Sequence, residues 1–284
     1  MSWRDLADQT TSAGAFGLVV VDGCPRQQSS RVGTTPLPLV RVGAADGQKV
    51  LKLAGQTATV TSDVEVREVT GHNLIAARVK AAPEIIFGAH LDSVNGSPGA
   101  NDNASGVLAV LDAARQAAGT PLADRAWFVL FDAEEDGLYG SSTFARDPSY
   151  PIRETRAMLN MDMVGVAAEP LGFAGNAEVL ALARQLRPDL RVFRDDDQPR
   201  RITFGRTSNI RGSSDHVSFI RWGVRTGYLY RGEDANYHGP GDKTLDPDLV
   251  RDTADFALKL ANRVLEAPWT PRENCGITRR DCRE

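Results

Sequence analysis

The chain has 284 residues, a length that fits one large α/β core or a core with a small additional module. Its 33 Lys and Arg residues against 37 Asp and Glu residues give a formal net charge of -4. Because there is also no basic tract, we expect no nucleic acid partner. No apolar run approaches the roughly 18 residues that cross a bilayer, and the acidic start is not a signal peptide. We therefore expect no membrane partner, while the oligomeric state stays open.

The first quarter of the chain contains short β-branched runs separated by Gly, Pro and Asp residues. These runs span residues 17–21, 37–42 and 58–62, and their composition is typical of strands. They predict a small β-rich module over residues 1–69.

From residue 70 onward, apolar strands alternate with amphipathic helices. Strands are predicted at residues 84–89, 126–131 and 158–161. One predicted helix has an apolar face, formed by Val107, Leu108, Leu111 and Ala114. A long terminal helix is marked by Leu249, Thr253, Phe256, Leu260 and Val264. The alternation predicts an α/β domain over residues 70–284, with a mainly parallel central sheet flanked by helices, while the acidic residues 195–197 are predicted to form a solvated loop.

Ligands of open α/β sheets bind at the carboxyl ends of the strands, and here those positions carry histidines and acidic residues. The segments concerned are His90-Leu-Asp92, Asn101-Asp102-Asn103, Glu134-Glu135, Asn160-Met-Asp162 and Tyr237-His238. Carboxylates that converge in this way repel one another unless a cation neutralises them. Imidazole and carboxylate ligands without thiolate suit Zn²⁺, whereas Ca²⁺ or Mg²⁺ sites seldom use histidine.

The adjacent residues Glu134 and Glu135 are predicted to have different roles. Neighbouring side chains at a strand end point in different directions, so one can bind metal while the other takes a proton from a metal-bound water. Taken singly, each residue also has a structural interpretation: His90 as a hydrogen-bonded residue of the fold, and Asp102 as the cap of the following helix. Five such coincidences at successive strand ends are rarer than one shared site.

At these residues the chain resembles the co-catalytic di-zinc aminopeptidases, metallopeptidase family 28, which also includes glutamate carboxypeptidase, transferrin receptor and glutaminyl cyclase. The resemblance covers residues 70–266 and rests on the motifs at 88–93, 99–106, 132–141, 160–162, 214–216 and 237–238. It implies that one zinc ion is held by His90, Asp102 and Asp162. It implies that the second is held by Asp102, Glu135 and His238, so that Asp102 bridges two Zn²⁺ per chain.

The same resemblance implies the chemistry and the substrate. The enzyme would remove the N-terminal residue of a peptide or amino-acid amide, using a water that bridges the two zinc ions. Glu134 would act as the general base, and Tyr237 would polarise the substrate carbonyl. Asp92 would hydrogen-bond His90 and fix its tautomer, as metal-bound imidazoles commonly require.

Two further features belong to the resemblance. It implies a cis peptide bond between Asp102 and Asn103, although neither residue is proline. It also includes Asp215 and His216, for which we expect a structural or substrate-lining role outside the metal site. Ser213 departs from the bulky or basic residue that the family often has before this stretch, so recognition of the substrate's end is not predicted.

The N-terminal part resembles the end of a protease-associated domain at residues 38–47 and 70–76. Related enzymes carry that domain after an initial helical segment, which gives the expectation that Met1 lies inside a longer natural chain. A secreted or extracytoplasmic location is then favoured. The cysteines do not decide the compartment, because Cys275 and Cys282 predict either a disulfide-closed tail loop or two exposed thiols.

Several alternatives remain within and beyond the family. A glutaminyl cyclase would bind one zinc ion and cyclise the substrate's own amine, and a carboxypeptidase would use a similar ligand set. An inactive, receptor-like homologue would keep the cavity without the chemistry, but such proteins usually lose ligands that are all present here. A calcium loop at residues 101–106 lacks the closing glutamate such loops require.

Overall fold

A computed structural model describes residues 3–21, 36–61, 68–166, 170–195, 214–220 and 222–270. The backbone contacts of the described residues divide into two compact units, with the boundary between Thr70 and Gly71. The cysteines at positions 24, 275 and 282, together with Ser213, lie outside the described residues. In the described part of the chain, no helix combines the length and apolar character needed to cross a membrane.

The N-terminal unit contains two helices and two short strands in its described residues. These are α1 (Trp3–Ser12), β1 (Leu18–Val21), β2 (Leu39–Val42) and α2 (Ala44–Leu51). Strands β1 and β2 pair in parallel, with Leu18 opposite Leu39. The third predicted strand is wrong over residues 58–61, which pair with no described strand, because β-branched composition forms a strand only where a neighbour offers its backbone. The unit is therefore mixed rather than β-rich in its described part.

The second unit is built on a seven-stranded sheet with the order β3-β5-β4-β6-β9-β7-β8. Its strands are β3 (Leu74–Ala77), β4 (Ile85–His90), β5 (Ala126–Phe131), β6 (Ala157–Met161), β7 (Gly172–Gly175), β8 (Arg191–Asp195) and β9 (Thr226–Tyr230). The four central strands, β5, β4, β6 and β9, run parallel to one another. Strand β3 joins β5 and β7 joins β9 in antiparallel fashion. The mainly parallel α/β sheet is therefore confirmed.

Five helices cover the two faces of this sheet: α3 (Gly106–Ala117), α4 (Tyr139–Arg146), α5 (Ala177–Leu186), α6 (His216–Ile220) and α7 (Pro247–Glu266). Side chains of successive strand residues point to opposite faces. Accordingly, Phe87 of β4 packs in the core beneath α3, α5 and α7, while the neighbouring Ile86 packs with α4 and α6. Every residue of β4 is buried, as expected for a parallel strand with both faces covered.

The predicted strands match the structure closely, but the predicted face of α3 is wrong in part. Leu108 and Leu111 are 46% and 51% exposed. The buried face instead consists of small residues, among them Ala109 and Ala113, where α3 packs closely against β4 and α7. Of the predicted loop at 195–197, the first residue ends β8 and the others lie outside the described residues. The terminal helix is confirmed as α7, with Val250 and Leu260 on its buried face.

Candidate metal centre

The five predicted ligands meet at the carboxyl edge of the sheet. His90 is the last residue of β4, Asp162 directly follows β6, and Glu135 lies in the loop after β5. Asp102 lies in the turn that precedes α3, and His238 lies in the loop after β9. The structure thus brings together residues that are separated widely along the chain, because parallel strands end at one edge.

Two overlapping groups form around the carboxylate of Asp102. Its Oδ1 lies 3.2 Å from Nε2 of His90, and the same imidazole nitrogen lies 3.4 Å from Oδ1 of Asp162. Its Oδ2 lies 3.0 Å from Nε2 of His238, which in turn lies 3.2 Å from Oε2 of Glu135. In each group the candidate ligand atoms lie within 4.8 Å of one another. The carboxylate of Asp102 therefore lies between the two histidines, with one oxygen facing each imidazole.

The donor atoms of these groups fit a bound cation. Oε1 of Glu135 and Oδ1 of Asp162 are buried and accept no hydrogen bond from any described residue. A buried carboxylate oxygen without a partner is costly, and coordination to a metal ion would satisfy it. Imidazole nitrogens combined with carboxylate oxygens are the ligand set of catalytic zinc sites.

The electrostatics of the site show the same requirement for positive charge. Burial lowers the pKa of His90, but the negative charges of Asp162 and Glu134 outweigh it, so this pKa lies well above its usual value. Burial opposes a similar rise at His238, where hydrogen bonds to Asp102 and Glu135 raise the pKa to about 9. The carboxylates thus hold protons on both imidazoles in the absence of a stronger cation.

Glu134 is a half-buried acidic residue beside the two groups. Burial, together with the negative charges of Asp215, Asp162 and Glu135, raises its pKa well above the usual value, although His90 opposes the rise. Its side chain also comes close to those of His90 and Glu135. A carboxyl with a raised pKa in such a place is suited to accept a proton and to release it again.

Two aspartates each hold a ligand-bearing segment by accepting hydrogen bonds from two consecutive backbone N–H groups, and we call each of them a carboxylate clamp. Asp92 accepts from Glu134 N at 2.9 Å and from Glu135 N at 3.1 Å. Asp242 accepts from Asn101 N at 2.7 Å and from Asp102 N at 3.1 Å. Each carboxylate fixes the backbone that carries a candidate metal ligand.

The clamp gives Asp92 a contact beyond the one predicted with His90. Nδ1 of His90 lies 3.0 Å from the backbone oxygen of Asp92 and 3.5 Å from its Oδ1. The main chain of Asp92 is therefore the better placed acceptor for this imidazole, while its side chain serves the loop after β5. The sequence pattern did not reveal Asp242, whose only signal was an acidic residue in the Gly- and Pro-rich loop after His238.

The turn Ala100–Ser105 aims Asp102 into the site. Its peptide bond between Asp102 and Asn103 is cis, which confirms the expectation. The side-chain oxygen of Asn103 accepts from Gly106 N at 2.9 Å, so Asn103 rather than Asp102 serves the start of α3. Gly106 is required there, because a Cβ atom would lie 2.1 Å from the backbone oxygen of Met161.

The loop that carries Glu134 and Glu135 is closed at its base. Asn73 accepts a hydrogen bond from Asp132 N at 3.0 Å and donates one to the backbone oxygen of Gly140 at 2.9 Å. Gly140 has no space for a side chain, since a Cβ atom would lie 2.2 Å from the backbone oxygen of Asp132. The residue just before β3 therefore holds the two ends of this loop together.

A cavity opens above the ligands, and its walls contain residues that the sequence pattern did not single out. Tyr237 lines it, with its ring stacked on His238 at a centroid distance of 3.8 Å. The other wall residues are Met163, Tyr228, Tyr230 and Glu233. Burial, reinforced by the charge of Asp102, raises the pKa of Tyr237 far above its usual value, so its phenol keeps its proton and remains a hydrogen-bond donor.

Asp215 and His216 lie in the core beneath the site. Both are fully buried, and neither belongs to a candidate metal group among the described residues. Burial raises the pKa of Asp215 to about 7, against the opposing charge of His90. The ring of His216 stacks on the cavity-wall residue Tyr228 at a centroid distance of 4.7 Å. Asp215 and His216 therefore lie behind this wall.

Fold and site together define an α/β protein whose parallel strand ends form two overlapping histidine–carboxylate groups that fit metal ions. The model of peptidase family M28 matches residues 73–261. The chain therefore belongs to peptidase family M28, in agreement with the family resemblance of its motifs.

Individual relatives agree with this assignment. Leucine aminopeptidase 2 of Arthroderma otae is 27% identical over 85% of this chain, and aminopeptidase YwaD of Bacillus subtilis is 28% identical over 85%. The aminopeptidase from Aneurinibacillus sp. strain AM-1 is 26% identical with a TM-score of 0.73, covering 93% of this chain and 67% of that structure. Each of the two sequence relatives is covered over only 55% of its length, so the chain spans about half of them.

Proposed function

We propose that this chain carries the active site of a zinc aminopeptidase, which hydrolyses the bond after the N-terminal residue of a peptide or amino-acid amide. The observation that carries the proposal is the shared carboxylate of Asp102, with an imidazole within 3.2 Å of each of its oxygens. A half-buried acidic residue, Glu134, stands beside it. The names of the relatives, leucine aminopeptidase 2 and aminopeptidase YwaD, support an aminopeptidase rather than a carboxypeptidase.

In this proposal each overlapping group holds one zinc ion. His90, Asp102 and Asp162 form the first set of ligands, and Asp102, Glu135 and His238 form the second. Bound zinc would supply an acidified water as the nucleophile and a Lewis acid for the substrate carbonyl. The buried oxygens of Glu135 and Asp162 that accept no hydrogen bond from any described residue support both halves of the assignment, because each half contains one of them.

Glu134 acts as the proton carrier of the reaction. Its carboxyl takes the proton of the attacking water and passes it to the leaving amine, a role that needs a pKa raised towards neutrality. The surroundings raise this pKa through burial and neighbouring carboxylates. Asp92 holds the backbone N–H of Glu134 at 2.9 Å, so the base is fixed in place without occupying its own side-chain oxygens.

Tyr237 acts as a hydrogen-bond donor to the substrate. Its phenol lines the cavity next to His238, and its raised pKa keeps it protonated at any pH at which the enzyme would work. A neutral donor placed at this wall can stabilise negative charge that develops on the carbonyl oxygen during attack.

The proposal is tested with the zinc-loaded protein, amino-acid p-nitroanilides and their N-acetylated counterparts. We expect turnover of the free-amine substrates only, loss of turnover on chelation, and two zinc ions per chain by elemental analysis. The variant Glu134→Gln should retain both zinc ions and lose turnover by roughly two to four orders of magnitude, because it removes proton transfer but no ligand.

Other outcomes would assign the site differently. Equal cleavage of N-acetylated substrates would overturn the aminopeptidase assignment. One zinc ion per chain with cyclisation of an N-terminal glutamine would identify a glutaminyl cyclase, and release of C-terminal residues would identify a carboxypeptidase. Two bound zinc ions without any turnover would identify an inactive homologue, while a fully active Glu134→Gln variant would remove that residue from the mechanism.

A further inference from the structure

The cavity carries one carboxylate that the metal site does not use. Four acidic residues stand at its base: Asp102, Glu134, Glu135 and Asp162. Two divalent cations would balance these four negative charges. The fifth acidic residue of the lining, Glu233, then contributes a negative charge that no zinc ion neutralises.

Glu233 stands at the outer part of the cavity. It is exposed, whereas His90, Asp102 and Asp162 are at most 5% exposed. Among the described residues, none forms a hydrogen bond or an ion pair with its carboxylate. The carboxylate is therefore available to a ligand, at a distance from the buried metal groups where bond cleavage would occur.

The backbone on both sides of Glu233 is held firmly. Arg231, two residues before Glu233, is fully buried, donates a hydrogen bond to Thr253 Oγ1 at 3.2 Å and forms an ion pair with Asp252 of α7. The following Asp234 accepts a hydrogen bond from Asn236 N at 2.7 Å. A carboxylate on a fixed segment loses little backbone freedom when it binds a ligand. Glu233 is therefore well placed to distinguish substrates by the charge of their side chains.

The wall between the base and Glu233 is aromatic. Tyr228 and Tyr230 stack at a centroid distance of 5.7 Å, and Tyr237 lines the same cavity. The charge of Glu233 contributes, after burial, to the raised pKa of Tyr230, which places the carboxylate close to this wall. Aromatic faces accommodate the methylene stem of a long side chain, and its charged end can then reach an anionic partner.

We propose that Glu233 selects substrates whose N-terminal residue has a basic side chain, lysine or arginine. This inference rests on the proposed aminopeptidase activity. The α-amine and the scissile bond lie at the buried base, the stem of the side chain follows the tyrosine wall, and the terminal cation pairs with Glu233.

The test compares p-nitroanilides of arginine and citrulline, which have nearly the same shape but differ in charge, with leucine p-nitroanilide as a neutral reference. We expect the parent protein to prefer arginine over citrulline by about fivefold in kcat/KM at low salt, the scale of a partly exposed ion pair. In Glu233→Gln this ratio should fall to about one, with citrulline and leucine turnover changed less than about twofold. High salt should reduce the ratio in the parent.

The matched control is Asp234→Asn, which removes a charge one residue away that does not line the cavity, and which keeps the side-chain oxygen that accepts from Asn236 N. It should keep the arginine preference. An unchanged ratio in Glu233→Gln, or an equal loss in the control, would overturn the assignment. An equal decrease for all three substrates would show that Glu233 binds the α-ammonium group instead. No turnover of any substrate by the parent would refute the aminopeptidase activity and this inference with it, whereas turnover without an arginine preference would refute this inference alone.

Discussion

The clamp formed by Asp242 allows a quantitative test of how the loop before α3 is held. Its carboxylate is 2% exposed and accepts from Asn101 N and Asp102 N. Hydrogen bonds to a charged group contribute roughly 1.5–3 kcal/mol each. Asp242→Asn keeps one acceptor oxygen and turns an NH₂ group towards the other N–H, so we expect a loss of about 1.5–3 kcal/mol in the free energy of unfolding. Asp242→Ala loses both bonds, and about 3–6 kcal/mol.

The measurement is urea unfolding of the metal-free protein, followed by zinc titration of each variant. Zinc affinity should fall together with stability, because the released segment carries the shared Asp102. The control is Asp246→Asn, since Asp246 is an exposed N-cap of α7 that accepts from Asp248 N at 2.8 Å and asparagine caps a helix equally well. An Asp242→Asn protein with the parent's unfolding midpoint and zinc affinity would refute the reasoning.

Two further predictions concern the metal groups. Asp92→Asn should lower kcat by roughly tenfold, the scale of the loss of a residue that orients a metal ligand. The zinc content should stay at two ions per chain, because His90 keeps its contact with the backbone oxygen of Asp92. Lowered zinc affinity with unchanged kcat would show that the side chain acts through His90 instead. Zinc binding at pH 7.5 should release at least one proton per chain, since the pKa of about 9 at His238 leaves that imidazole protonated until zinc displaces the proton. Zinc affinity should therefore rise with pH up to about 9, and calorimetric heats that do not depend on the buffer's ionisation enthalpy would contradict this.

The sequence predicted three adjacent strands of the sheet, β5, β4 and β6, because their signals are strong and local. Strand β5 is six apolar or aromatic residues in a row, a pattern that only a strand with two covered faces requires. Strand β3 was not predicted, because its four residues are exposed and carry no apolar alternation. The buried face of α3 was predicted wrongly because leucine is the more hydrophobic residue, so the leucines were assigned to the core. The close approach of α3 to β4 leaves room only for small side chains, and alanines occupy that face instead.

The ligands were predictable because motifs and strand ends coincide, whereas the residues that hold them were not. Asp242 and Asn73 act through backbone N–H and C=O groups far away in the sequence, and no local pattern encodes such contacts. Glu233 and Tyr230 become cavity residues only once β9 lies beside β6. The contact of the Asp92 side chain with the loop after β5 could not be predicted from the sequence either, because it forms only when β4 and β5 lie side by side.

The four parallel strands that carry the candidate ligands or lead into their loops are also four consecutive neighbours in the sheet, β5, β4, β6 and β9. No pair of these strands alone supplies either ligand group in full. The first group needs β4 and β6 with the turn before α3, and the second needs the loops after β5 and β9 with the same turn. A partly folded chain therefore has no tight place for zinc, and metal uptake comes after the slow, non-local pairing of the strands. Zinc held by both groups would therefore stabilise the assembled sheet relative to partly folded states.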